Sequence, residues 1–288
     1  MMKDNVVIIG APRSGTNMLR DMLIKLDGVE TWPCDEINYI WRHGNVKYSS
    51  DVFSPAMATP AIKKFIRSEF DDFRKKSNAT VIVEKTCANA LRVSFVEAVI
   101  PGSKYIHIIR DGADAVGSAK LRWTAKLDIP YLLKKIKYVP KIDLPFYALK
   151  YFGNRIAKLL SKEGKLSYWG PLLDERMLSN PKLNIFEVCA IQWKECVVKA
   201  REQLSLIENE RVYTLRYEDF VANPKEEFLK IAEFIGKKPS QSAVESVVGN
   251  TSSKSVGKGR SEIESRQKDI INNIIGDELS RYGYKHLE

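Results

Sequence analysis

Apolar positions along the chain fall into short unbroken runs separated by longer stretches of helical spacing. The runs are Asn5–Ile9, Thr80–Val83, Lys104–Ile109 and Arg211–Thr214. Runs this short, bounded by turn residues, read as strands buried on both faces. Between them, apolar residues recur every three or four positions. That spacing predicts helices over Gly15–Leu26, Ala61–Lys75, Ala88–Val99, Asp111–Ala119, Leu183–Ile207 and Lys225–Ile235. Buried strands alternating with helices predict an α/β fold of three layers, a mostly parallel sheet flanked by helices. Ligands of such sheets sit at the carboxyl ends of the strands. The segments that follow the strands, GAPRSGTN, EKTCAN, RDGADAVGS and LRYEDF, are therefore where chemistry is expected.

The first of these segments has the form of a phosphate-binding loop. A strand enters a turn bounded by Gly10 and Gly15, and an apolar helix follows. Backbone N–H groups from Ser14 to Asn17, with a helix N-terminus behind them, favour an anion. Arg13 adds a planar guanidinium suited to phosphate or sulfate. A nucleoside-triphosphate loop would continue with Lys and then Ser or Thr for magnesium, where this chain has Thr16 and Asn17. The loop therefore suits an anionic nucleotide handled without a metal.

Composition adds scale and charge. The 288 residues, 44% of them hydrophobic, can form one large domain, and no linker or internal repeat divides residues 1–288. The net charge of +10 favours anionic partners. Cys34, Cys87, Cys189 and Cys196 show no zinc-type spacing, and Cys189 and Cys196 suit one core face of a helix. With no signal peptide and no apolar stretch long enough to span a bilayer, a cytoplasmic location is expected. Residues 121–170 are rich in Lys, Tyr, Leu and Pro. There Phe146, Leu149, Phe152, Ile156 and Leu159/Leu160 make an amphipathic helix. A core helix with a solvated basic face accounts for the pattern. So does peripheral contact with an anionic membrane, at its inner face, or with a lipid-linked glycan.

In order along the chain, GAPRSGTN, VIVEKTCAN, YIHIIRDGADAVGS, YWGP, YEDFVANPKEEFLKIAEFIG and SVGKGRS resemble the sulfotransferases that use 3′-phosphoadenosine 5′-phosphosulfate (PAPS). The resemblance runs from about Val6 to Arg260. It implies the P-loop-like sulfotransferase fold, PAPS as co-substrate, PAP as product, and no metal requirement. Asn17 replaces the family's usual second Thr, Cys87 stands where Pro is common, and RDGADA has Gly where many members have Pro.

By that resemblance Arg13, Ser14, Gly15, Thr16 and Asn17 cradle the 5′-phosphosulfate. Arg110 and Ser118 take the 3′-phosphate, and Lys258, Gly259 and Arg260 form a basic loop over the nucleotide. Lys85 becomes the catalytic cation, assisted by Arg13. Glu36 is the first choice for general base, Asp35 the second, and Glu84 a neighbour that orients Lys85. An ordinary salt bridge accounts equally well for a Glu-Lys pair, and the family pattern decides between the two. His107 inside its strand is expected to be packed, His43 to line the acceptor pocket, and His286 to play no part. Trp41, Arg42 and Asn45 are candidates to face the acceptor as well, although aromatic packing is the more common explanation for Trp41.

The function implied is sulfuryl transfer to a carbohydrate hydroxyl, on a cell-surface polysaccharide or glycolipid. Tyrosine sulfation of protein is the alternative. A P-loop kinase is disfavoured by the absent lysine. Nucleic-acid binding is disfavoured by the lack of a recognition helix or stacking aromatics, so no nucleic-acid partner is expected.

Overall fold

The computed structural model describes residues 4–123, 137–149, 169–173 and 183–288. Five parallel strands form one sheet in the order β2-β3-β1-β4-β5. They are β1 (Asp4–Ile9), β2 (Val29–Glu30), β3 (Val81–Lys85), β4 (Lys104–Ile109) and β5 (Val212–Arg216). Val6 to Ile9 are fully buried, with Val7 and Ile9 in the apolar cluster on one face and Val6 and Ile8 in that on the other. This double burial is the reason the strands lack polar alternation.

The helices are α1 (Thr16–Leu23), α2 (Asn38–Trp41), α3 (Pro60–Ser77), α4 (Val93–Val99), α5 (Gly112–Trp123), α6 (Ile185–Leu204), α7 (Tyr217–Ala222), α8 (Pro224–Phe234), α9 (Gln241–Val248), α10 (Lys258–Ser261) and α11 (Ser265–Arg281). Local chemistry sets their ends. Thr59 caps α3 through its side chain ahead of Pro60, and Asn78 in the left-handed region stops it. Asn184 and Glu187 form a reciprocal capping box at the start of α6. Cys189 and Cys196 are both buried in α6, as their spacing suggested.

The expected three-layer α/β architecture is the one observed, with differences at the element ends. Thr80–Val83 extends through Glu84 and Lys85, because the sheet interior accommodates two charged side chains there. Ala88–Val99 is a 3₁₀ turn (Cys87–Leu91) and then α4, broken at Arg92, whose φ of −147° is extended. The expected amphipathic helix starting at Phe146 is helical over 144–149, and Phe152, Ile156, Leu159 and Leu160 lie outside the described residues. Among the described residues, no helix is long and apolar enough to cross a membrane.

His107 is buried in β4, packed as expected. Burial, reinforced by the charge of Arg201, lowers its pKa to about 4 from an ordinary 6.5. The unfolded chain binds this proton near pH 6.5 and the folded chain only near pH 4. Stability therefore falls as pH falls through that window. In urea melts at pH 7 and pH 4.5, His107→Leu should remove about 2 kcal/mol of the wild-type acid sensitivity.

Candidate active site

The loop between β1 and α1 is built around two left-handed residues, Arg13 with φ 70° and Gly15 with φ 90°. Alternation of this kind turns successive N–H groups towards one concavity. Gly15 is required twice over, since a Cβ there would also lie 2.5 Å from Cδ2 of Tyr217. No side chain caps the start of α1, so its first-turn donors remain available to an anion. Inside the loop, the Ser14 hydroxyl is buried with no partner. A buried polar atom without a partner is costly, and an oxyanion in the loop would satisfy it.

Three of the predicted residues meet beside this loop. Arg13 Nε donates to Ser118 Oγ at 2.9 Å, and Arg110 Nη1 donates to the Arg13 carbonyl at 2.9 Å. Arg110 also donates to Asp114 Oδ2 through Nε at 3.0 Å and to the Ser255 carbonyl at 2.8 Å, and stacks 4.6 Å over the Tyr217 ring. Tyr217 Oη and Ser255 Oγ are 2.6 Å apart. The predicted basic loop is α10. Its turn is fixed to α5 by Asp114, which accepts from the amides of Gly257 at 3.1 Å and Gly259 at 2.5 Å. The two backbones touch directly: a Cβ on Gly117 would lie 1.8 Å from the Gly259 carbonyl oxygen. Lys258 is exposed beside this contact. Arg260 instead spends its guanidinium on Asp111 and on the carbonyls of Lys285 and His286.

Across the loop, Lys85 Nζ lies 3.0 Å from Glu36 Oε1 and 3.2 Å from Asp35 Oδ1. Burial alone would depress the Lys85 pKa, but the negative charges around it, Glu36 foremost, hold it above the ordinary lysine range. Lys85 is a permanent cation at neutral pH. Glu36 Oε1 also accepts from the Cys87 amide at 3.3 Å, and the Cys87 thiol lies 3.8 Å from Thr16 Oγ1 of the phosphate loop. Burial, then the charge of Glu36, push the Cys87 thiol well above its usual range, so it is a neutral contact. Asp35 is shared with Arg20, whose Nη1 donates to both its carbonyl and its carboxylate at 2.9 Å.

Glu84 does not orient Lys85 through a direct contact. Successive strand residues face opposite sides, and its carboxylate accepts from Thr86 Oγ1 at 2.5 Å and Asn89 Nδ2 at 2.8 Å. The acceptor-side residues also divide. Trp41 is core, and Arg42 is buried against Asp51 at 2.7 Å. His43 lies 2.8 Å from Asp143 Oδ2, with its ring 3.8 Å from that of Phe65.

The sequence reading missed Asp51. Its carboxylate accepts from Arg42, from Arg92 Nη1 at 3.2 Å and from the Leu172 amide at 2.8 Å. Burial would raise its pKa, but Arg92 and Arg42 together hold it below the usual carboxylate range. Arg92 in turn bonds Asn89 and Asn38. Nothing in the local sequence marks the Asp51–Arg92 pair or the Asp51–Leu172 bond, since these partners are 41 and 121 residues apart. Asp114 was also passed over, although its position four residues after Arg110 on a predicted helix is a detectable signal.

Comparison with known proteins shows the family. The family model described as the sulfotransferase domain matches residues 3–281, and the chain belongs to that family. No curated protein matches it significantly. Among solved structures, the sulfotransferase domain of the curacin biosynthetic pathway is similar at a TM-score of 0.56 and 16% identity, covering 99% of each chain. A mouse sulfotransferase complexed with PAP gives 0.53 and 12%, covering 97% of this chain and 86% of that one. A sulfotransferase from Mycobacterium avium gives 0.51 and 11%, covering 100% and 79%. At these identities the likeness is one of fold.

Two substitutions probe the frame of the site. Asp51→Asn should leave two buried guanidinium groups uncompensated and cost about 3 kcal/mol in denaturant unfolding. Gly117→Ala should force α10 off α5 and cost about 2 kcal/mol by the same measurement.

Proposed function

We propose that the chain transfers a sulfuryl group from PAPS to a carbohydrate hydroxyl, with Glu36 as general base and Lys85 as the cation at the leaving oxygen. The observation that carries this reading is the Glu36–Lys85 pair, 3.0 Å apart and linked through Cys87 and Thr16 to the phosphate loop. Base and cation thus flank one anion cradle, which is the arrangement an in-line transfer needs.

On this reading Ser14 to Asn17 and Arg13 receive the 5′-phosphosulfate, and the unpartnered Ser14 hydroxyl fits one of its oxygens. Arg110 and Ser118, already joined through Arg13, take the 3′-phosphate, with the 257–259 turn beside them. Glu36 accepts the acceptor's proton while its oxygen bonds to sulfur. The bond from sulfur to the bridging oxygen breaks, its electron pair stays with PAP, and Lys85 stabilises that charge. Lys85 does the electrostatic work that a phosphate-loop lysine does elsewhere. The carbohydrate acceptor is supported by the likeness of VIVEKTCAN to the corresponding segment of glycan sulfotransferases.

PAP should raise the melting temperature without magnesium. Stabilisation by ATP with magnesium alone would reject the donor assignment. Transfer of ³⁵S from labelled PAPS should place label in a glycan or glycolipid fraction that resists protease. Label confined to protein tyrosine would reject the acceptor class. Glu36→Gln and Lys85→Ala should each lower transfer by about 100-fold or more while PAP binding persists.

A further inference from the structure

Three residues around the donor cradle each have an immediate chain neighbour whose side chain enters a second cluster. Arg110 is followed by Asp111, Tyr217 by Glu218, and Gly259 by Arg260. Asp111 receives the Arg260 guanidinium on both carboxylate oxygens, with Nη2 to Oδ1 at 3.1 Å. The Asp111 amide donates to Glu218 Oε1 at 3.0 Å, and Tyr284 Oη donates to Glu218 Oε2 at 2.7 Å. Arg260 closes the ring by donating to the carbonyl of His286 at 3.2 Å and to that of Lys285. Residues 282–288 are held in turn by Asn272, which exchanges bonds of 2.8 and 2.9 Å with the Leu287 backbone, and by burial of Tyr284 and Leu287.

We infer that the 282–288 segment is a strap that sets the donor site from behind, with Arg260 and Tyr284 as positioning residues rather than nucleotide ligands. The inference rests on the donor reading above. It also replaces the role expected for Arg260, which acts on the nucleotide only through Gly259. The physical argument is compliance. Gly259 lies backbone to backbone on α5 with no side chain between them, so the turn cannot adjust by rotamer change. Its placement follows from its ties: Asp114 on one side, Arg260 on the other. Charge-assisted bonds of the Arg260–Asp111 kind fix orientation as well as distance. Arg110 and Gly259 are each joined by one peptide unit to a partner of the strap, Asp111 and Arg260, and move with them. Coupling of this kind is reciprocal: what the strap does for the nucleotide, the nucleotide does for the strap.

The test is isothermal titration of PAP into the full chain, wild type against Tyr284→Phe and Arg260→Lys. It is paired with hydrogen exchange of the 282–288 amides with and without PAP. Each substitution should weaken PAP binding about fivefold or more, and saturating PAP should slow exchange across 282–288 in the wild type. Tyr284→Phe removes one hydroxyl and keeps the test meaningful if Arg260→Lys fails to fold. PAP affinity unchanged within twofold in the variants, or strap exchange indifferent to PAP, would reduce the segment to a structural role and overturn the inference. Absence of PAP binding by the wild type would instead overturn the donor reading and the strap with it, an outcome distinct from tight binding that the variants share.

Discussion

The part of the molecule around α2 and the segment after β3 depends on one buried carboxylate. Asp51 is shielded completely from water and still holds its charge, because two guanidinium groups and a backbone amide converge on it. Desolvating three charges is expensive, and only a fully bonded arrangement offsets that expense. The consequence is geometric. Arg42 follows α2, Arg92 follows β3, and Leu172 belongs to the 169–173 segment, so one anion fixes three pieces of chain at once. Arg92 passes the constraint on to Asn38, two residues from Glu36. The network thereby reaches the stretch of chain that carries Glu36, the carboxylate beside Lys85.

The region around the phosphate loop is organised differently. Backbone supplies its shape, through a left-handed loop, an uncapped helix start and a turn laid on α5 through two glycines, and the side chains of Arg13, Arg110 and Ser118 gather beside it. The two regions meet at Thr16 and Cys87. Cys87 here supplies an amide to Glu36, a bond that a proline at this position could not make.

Much of this was legible in the sequence. Strands buried on both faces announce themselves as continuous apolar runs, and the segments after them supplied Arg13, Arg110, Ser118 and Lys85, while Glu36 came from the family resemblance alone. Other features left no local trace. The two-residue β2 and four-residue α2 are too short to show a period. Helix α11 had a signal that was not read, since Ile271, Ile275 and Leu279 repeat every four residues on its buried face. Asp51 pairs with residues up to 121 positions away, and no spacing rule reaches that far. Arg260 is a residue of the right type in the right motif whose guanidinium bonds Asp111 and the carbonyls of Lys285 and His286, partners that no spacing rule reveals.

On the proposed reading the cation at the leaving oxygen comes from a neighbouring strand, so its position depends on how that strand is paired. Ile8 of β1 lies opposite Lys85, and Val7 opposite Glu84. A slip of one residue in β3 would turn its whole side-chain set over, putting an acid where the lysine belongs. A misregistered sheet would then present the cradle with the wrong sign of charge and repel the anion it is shaped to hold. In a correctly paired sheet, a bound anion and Lys85 attract one another across the β1–β3 pair. The ligand therefore rewards the one alignment in which chemistry is possible, and the test of correct folding is built into the charge order of two adjacent residues.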